Sequence, residues 1–154
     1  MAIEEKLANL GLELPEPHAP AGNYVGGVVV GNLLFMSGVG PTYSDGGLIS
    51  GKVGRDLDED AAYDAARLTA LNMLAGIKRE IGNLDRVRRV VKTLGMVNAV
   101  PEFKHQPKVI NGFSDLFAEL YGEAGVGARS AVGMASLPFQ IPVEVEMILE
   151  IETD

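Results

Sequence analysis

The sharpest chemical feature of the chain is an arginine behind a run of small residues. Arg129 follows Gly125-Val126-Gly127-Ala128 and stands at the entrance to a strand-like segment. A guanidinium in that place can hold a carboxylate through two parallel hydrogen bonds. The competing reading is a solvated or structurally paired arginine. Glu144 comes next. It opens a segment in which Glu146, Glu150 and Glu152 fall on the same side. That pattern fits a solvated strand face, whereas a carboxyl facing a closed cleft would move a proton or position water. Ser37 stands just before Gly38. A serine nucleophile needs a histidine base and an orienting acid. His18 lies in a proline-rich stretch and His105 precedes a helical pattern, so neither has triad spacing. Ser37 is read as a hydrogen-bonding residue. Tyr24 opens an apolar run, where its hydroxyl can touch a ligand or its ring can simply pack. Asn111 lies off the apolar stripe of its helix and is a ligand contact or a surface amide.

The elements that must position these residues follow from periodicity. Residues 3–10 form a short amphipathic helix carrying Ile3, Leu7 and Leu10, and residues 14–22 contain Pro15, Pro17 and Pro20. Together residues 1–22 read as an N-terminal extension on a single domain of residues 23–154. Two apolar runs, 24–30 and 33–37, flank Gly31-Asn32, a two-residue hairpin signal. Residues 38–54 hold six glycines without either phosphate-binding glycine pattern, so they read as a long turn-rich connection. Residues 58–81 predict a helix with Asp58 as N-cap and a stripe of Ala62, Ala66, Ala70, Met73, Ile77 and Ile81. A strand spans 87–98, a second helix 107–122 with a strong 3.6-residue face, and a strand 130–136. The last strand, 143–152, alternates, with Val143, Val145, Met147, Leu149 and Ile151 on one side. The expected fold is α+β, a mixed sheet with two helices packed on one face. The other sheet face is half apolar with no helix left to cover it, which points to closure by copies of the chain.

Composition narrows the function classes. The 154 residues are 47% hydrophobic and 22% charged, ordinary for one globular domain. There is no cysteine, which removes disulfides, thiolate metal sites and a cysteine nucleophile. Two histidines cannot make an all-histidine metal site within one chain. Thirteen basic against 21 acidic residues give a net charge of −8. Sequence-independent nucleic-acid binding rests on many Lys and Arg, so no nucleic-acid partner is expected. The opening residues lack a signal-length apolar run, and nothing approaches the roughly 20 apolar residues of a membrane span. A cytoplasmic protein with no membrane partner is expected.

Four stretches, in order, resemble the YjgF/RidA family, the reactive intermediate deaminases once labelled L-PSP endoribonucleases. They are Asn23-Tyr24-Val25 with Gly31-Asn32 and Phe35-Met36-Ser37-Gly38; Val109-Ile110-Asn111 with Phe113 and Phe117; Ala128-Arg129-Ser130-Ala131-Val132; and Leu137-Pro138 with Val143-Glu144-Val145-Glu146. The resemblance runs from about residue 23 to 152. It implies a chorismate-mutase-like fold and a homotrimer with a central β-barrel and a cleft at each subunit interface. It also implies hydrolysis of 2-imino or 2-enamino acids to 2-oxo acids and ammonia, with no metal and no organic cofactor. Arg129 would clamp the substrate carboxylate, Glu144 would serve water and the leaving ammonia, and Tyr24, Ser37 and Asn111 would line the pocket. Ala131 stands where the family's deaminases often carry cysteine, leaving its backbone to meet substrate. The N-terminal extension and the longer 38–54 and 98–108 segments mark a divergent branch. The rival readings are a non-catalytic trimer binding a small carboxylate and an endoribonuclease.

Overall fold

The computed structural model describes residues 1–154. In chain order the elements are α1 (Ile3–Asn9), β1 (Gly27–Val30), β2 (Leu33–Val39), α2 (Glu59–Ile81), β3 (Val87–Asn98), α3 (Gln106–Tyr121), β4 (Ala128–Met134) and β5 (Val143–Ile151). The strands form one sheet in the order β1-β2-β5-β3-β4. Every neighbouring pair is antiparallel except β3 with β4. A parallel pair cannot be joined by a hairpin, and α3 supplies the crossover. No helix is long and apolar enough to cross a membrane.

Alternation in β5 sets the layers. Val143, Val145, Met147, Leu149 and Ile151 are all buried against the helices. They meet Phe113, Leu116, Phe117 and Leu120 of α3 and the alanine-rich α2 in one core. The Asp58 carboxylate caps α2 by accepting from the Ala61 N–H at 2.8 Å. Small residues on α2 let the helices approach closely. A Cβ placed on Gly112 of α3 would collide with the Tyr63 carbonyl of α2. Helix α2 is buried beyond its expected stripe, since Ala65, Leu71, Asn72, Leu74 and Ala75 are covered too.

Several element ends differ from the sequence reading by one to three residues, and three placements have a clear physical reason. β1 begins at Gly27, not Tyr24, because Tyr24 sits in a bend where its hydroxyl accepts from the Ala21 N–H at 3.2 Å. β4 begins at Ala128, two residues early, because its pairing with β3 starts at Lys92–Ala128. Helix α1, part of the expected extension, docks into the main core through Ile3 and Leu7. The Ile3 N–H donates to Asp85 Oδ1 at 2.9 Å and Lys6 Nζ to the Leu120 carbonyl at 2.6 Å.

The sheet face away from the helices has no cover in the single chain. Register puts Val28, Phe35, Ile148, Lys92, Leu94, Ser130 and Val132 on it, along with Glu144 and Glu146. Phe35 and Val132 remain 40% and 38% exposed there.

Candidate active site

Arg129 is the second residue of β4, an edge strand. Its partner in register is Thr93, which also pairs Met147, a helix-side residue. Paired residues point the same way, so Arg129 faces the helix layer. There α3 meets it. Nη1 donates to Asn111 Oδ1 at 2.8 Å and to Ser114 Oγ at 3.2 Å, and Nη2 to the Pro107 carbonyl at 3.4 Å. These contacts fix the plane of the fork and leave its Nε–H and one Nη2–H without a protein acceptor. The group lines a cavity of about 240 Å³ with Thr93, Ser114 and Gly127. Gly127 is required by packing, since a Cβ there would lie 2.6 Å from the Val90 carbonyl oxygen. Ala131, two residues on, shares this face and packs against the core.

Glu144 lies on the opposite side of the sheet. Its register partner Met96 pairs Val132, an open-face residue. Two strand spacings and three residues separate it from Arg129, roughly 10 Å across and roughly 10 Å along the sheet. Its carboxylate lies over Gly38, in a stretch of β2 where the pairing with β5 is interrupted between Met36 and Val39. Burial, and then the neighbouring Glu146 charge, pushes the Glu144 pKa above the usual carboxylate range. Tyr24, Ser37 and Glu144 line one cavity of about 480 Å³. The Ser37 hydroxyl donates to the Val25 carbonyl at 2.6 Å, which fixes the turn carrying Tyr24.

The sequence-derived candidates thus form two groups. Arg129, Asn111 and Ala131 share the β4–α3 edge. Tyr24, Ser37 and Glu144 share the cavity at the end of β2. Ser114, one helical turn beyond Asn111, escapes the sequence reading although its i, i+3 spacing from Asn111 is the available signal. The histidines stay apart. His105 Nδ1 stands 3.1 Å from Glu59 Oε1, and the His18 carbonyl accepts from Arg79. No three His, Asp or Glu side chains converge in a way that would hold a metal ion.

The family described as "YjgF/chorismate_mutase-like, putative endoribonuclease" matches residues 4–150. The chain belongs to the YjgF/RidA family. Its α+β sheet is therefore the chorismate-mutase-like fold of that family. It is 42% identical to Protein TCP17 of Trypanosoma cruzi over 150 residues, 97% of this chain and 94% of that protein. The crystal structure of Atu1372 of Agrobacterium tumefaciens, a protein of unknown function, is 47% identical over 99% of this chain and 93% of its own, with a TM-score of 0.90. RidA of an Antarctic Psychrobacter species is 26% identical over 90% of this chain and 97% of its own, with a TM-score of 0.63. The YjgF/RidA match begins at residue 4, so it takes in most of α1 as well as the sheet.

Proposed function

We propose that the protein hydrolyses reactive 2-imino and 2-enamino acids to 2-oxo acids and ammonia, at clefts completed by copies of the chain. The observation that carries this reading is the split between the two groups. A fixed guanidinium with spare donors stands at one edge of the sheet, and a carboxyl of raised pKa stands at the end of β2 on the other face. No side-chain rotation joins them within one chain. A second copy laid against the open face can bring its Arg129 edge to this copy's Glu144. Three copies would close the uncovered faces around an axis and give equivalent clefts.

In such a cleft Arg129 grips the substrate carboxylate, with Asn111 and Ser114 holding the fork in plane. Glu144 accepts a proton from water as its oxygen attacks C2 of the protonated imine. The resulting tetrahedral carbinolamine takes that proton on nitrogen; as the C–N bond breaks, the Glu144 carboxylate accepts the hydroxyl proton and passes it to the departing ammonia, which leaves as ammonium beside the 2-oxo acid. A carboxyl tuned upward suits both halves of this exchange, because it holds and returns a proton closer to neutral pH. The substrate is intrinsically reactive, so orientation and charge placement supply the acceleration.

The test is imine loss, with the imines generated in place by an amino-acid oxidase. Loss should be faster with the protein, and Arg129→Ala should reduce kcat/KM by about 100-fold or more, the scale of a removed charge-assisted clamp. Light scattering should give three times 16.3 kDa for both proteins. Carboxylate binding without faster imine loss would make the protein a binding trimer. The ribonuclease label in the family's description has little support in a chain of net charge −8 with separated histidines. RNA cleavage that vanished with Glu144→Gln would reverse that judgement.

A further inference from the structure

The cavity beside Glu144 is larger than a carboxylate and an imine require, and its walls have a definite chemistry. The end of β2 and one side of α2 line it, and residues 17–22, the loop around Leu48 and the turn of residues 138–141 wall it in. Its ionisable side chains are His18, Tyr24, Arg79 and Glu144. Arg79 is already committed. Its Nη1 donates to the His18 carbonyl at 2.8 Å, while Nε and Nη2 reach Glu80 Oε1 at 3.3 and 3.2 Å. Its charge is therefore already balanced by Glu80, while one N–H on each Nη keeps no protein acceptor. The rest of the wall is mainly proline, alanine, glycine and larger apolar residues such as Met36, Leu48 and Ile141.

Two of these walls are held in place. Proline restricts φ, so residues 15–20 lose little freedom on docking, and the Arg79 bond ties the segment to α2. The 138–141 turn is strained. Phe139 and Gln140 take φ of 57° and 55°, where only glycine is at ease. Fully buried Asn98 holds that shape by donating to the Ile141 carbonyl at 3.2 Å, and the Gly51 N–H donates to the Gln140 carbonyl at 2.7 Å. Lys52 Nζ orients Asn98 by donating to its Oδ1 at 2.7 Å. The outcome is a phenylalanine ring left 70% exposed at the cavity mouth. A costly backbone kept to present an apolar ring to open space marks a contact with something the free chain lacks.

We propose that this cavity is the side-chain subsite of the proposed reaction, taking imino acids with a large neutral apolar side chain and closing on it with Phe139. The inference rests on the deaminase reading for its substrate class. The subsite continues directly from Glu144, so a side chain on C2 enters it once the carboxylate is held by Arg129. Acidic side chains are disfavoured because Glu144 repels them and the Arg79 charge is already balanced by Glu80.

The experiment compares the imines of alanine, leucine, phenylalanine and glutamate, each scored as enhancement over its uncatalysed hydrolysis. The leucine and phenylalanine imines should exceed those of alanine and glutamate by about tenfold or more, and Phe139→Ala should cut that ratio by about tenfold. Leu48→Ala, on another wall, should lower the same ratio and serves if Phe139→Ala does not fold. A flat series, or a ratio unmoved in a folded variant, overturns the subsite and leaves imine hydrolysis standing. If no imine is hydrolysed, the activity falls, and calorimetry with the 2-oxo acids decides the subsite. Tighter binding of 4-methyl-2-oxopentanoate and phenylpyruvate than of pyruvate, weakened by Phe139→Ala, sustains it. Equal binding, or none, overturns it.

Discussion

Gly38→Ala displaces Glu144 without altering any ionisable group. A Cβ on Gly38 would lie 2.5 Å from Glu144 Oε2, 3.1 Å from its Cδ and 3.2 Å from its Cγ. Ordinary van der Waals contact begins at 3.4 Å, so the carboxylate must retreat by about 1 Å, a misplacement that costs roughly 100-fold in a positioned reaction. The backbone at Gly38 is not in the positive-φ region, so alanine brings no conformational strain. The obstacle is also the end of a flexible side chain, so the fold should hardly notice. The expected result is a melting temperature within about 3 °C of the wild type, the scale of 1 kcal/mol in a chain of this size. Imine-hydrolysis kcat/KM should fall roughly 100-fold. Both are read from one preparation, by differential scanning fluorimetry and the coupled imine assay. Full activity in a normally folded Gly38→Ala protein would refute the placement of Glu144 at the reacting atoms. A large loss of stability would refute the claim that only the carboxylate is in the way.

Glu144→Gln removes a carboxylate whose ionised form is disfavoured in the fold. A raised acid pKa means the folded chain holds its proton more tightly than the unfolded one, so wild-type stability falls as pH rises through that pKa. The variant should melt above the wild type at pH 8 and show no advantage at pH 3.5, followed by thermal melts across pH. Gly112→Ala forces a methyl against the Tyr63 carbonyl, and parting α2 from α3 should lower stability by about 1–3 kcal/mol in urea titrations. Phe35→Asp puts a charge at the centre of the open sheet face. It should shift the mass from three chains to one in light scattering and remove activity with it, while the far-ultraviolet dichroism stays native.

The layers were legible wherever one face of an element is buried. Val143 to Ile151 alternate, and the β5 core is that alternation folded. Gly31-Asn32 marked its hairpin because Gly31 takes φ of 60°, as the turn demands. Arg129 stood out by its type and its small neighbours. Its distance from Glu144 did not, because it depends on which strands pair: a single extra strand between β4 and β5 puts the two residues far apart, and the odd register offset puts them on opposite faces. The docking of α1 was hidden because Ile3, Leu7 and Leu10 fit an isolated amphipathic helix equally well. Phe139 gave no signal at all. Its left-handed backbone is imposed by Asn98 and Gly51, residues 41 and 88 positions away in the chain, and no local propensity encodes it.

The outer margin of the sheet has a consequence for handling the protein. β1 is an edge strand, and its Val28, Val29 and Val30 are 49%, 51% and 60% exposed. A bare ribbon of β-branched residues with free N–H and C=O groups is a template for stacking with any extended chain. Its four-residue length and the glycines at its ends keep that tendency modest in the cold. Warming a dilute sample should favour slow turbidity over clean unfolding, and a lysine in place of Val29 is the smallest change that would keep it clear.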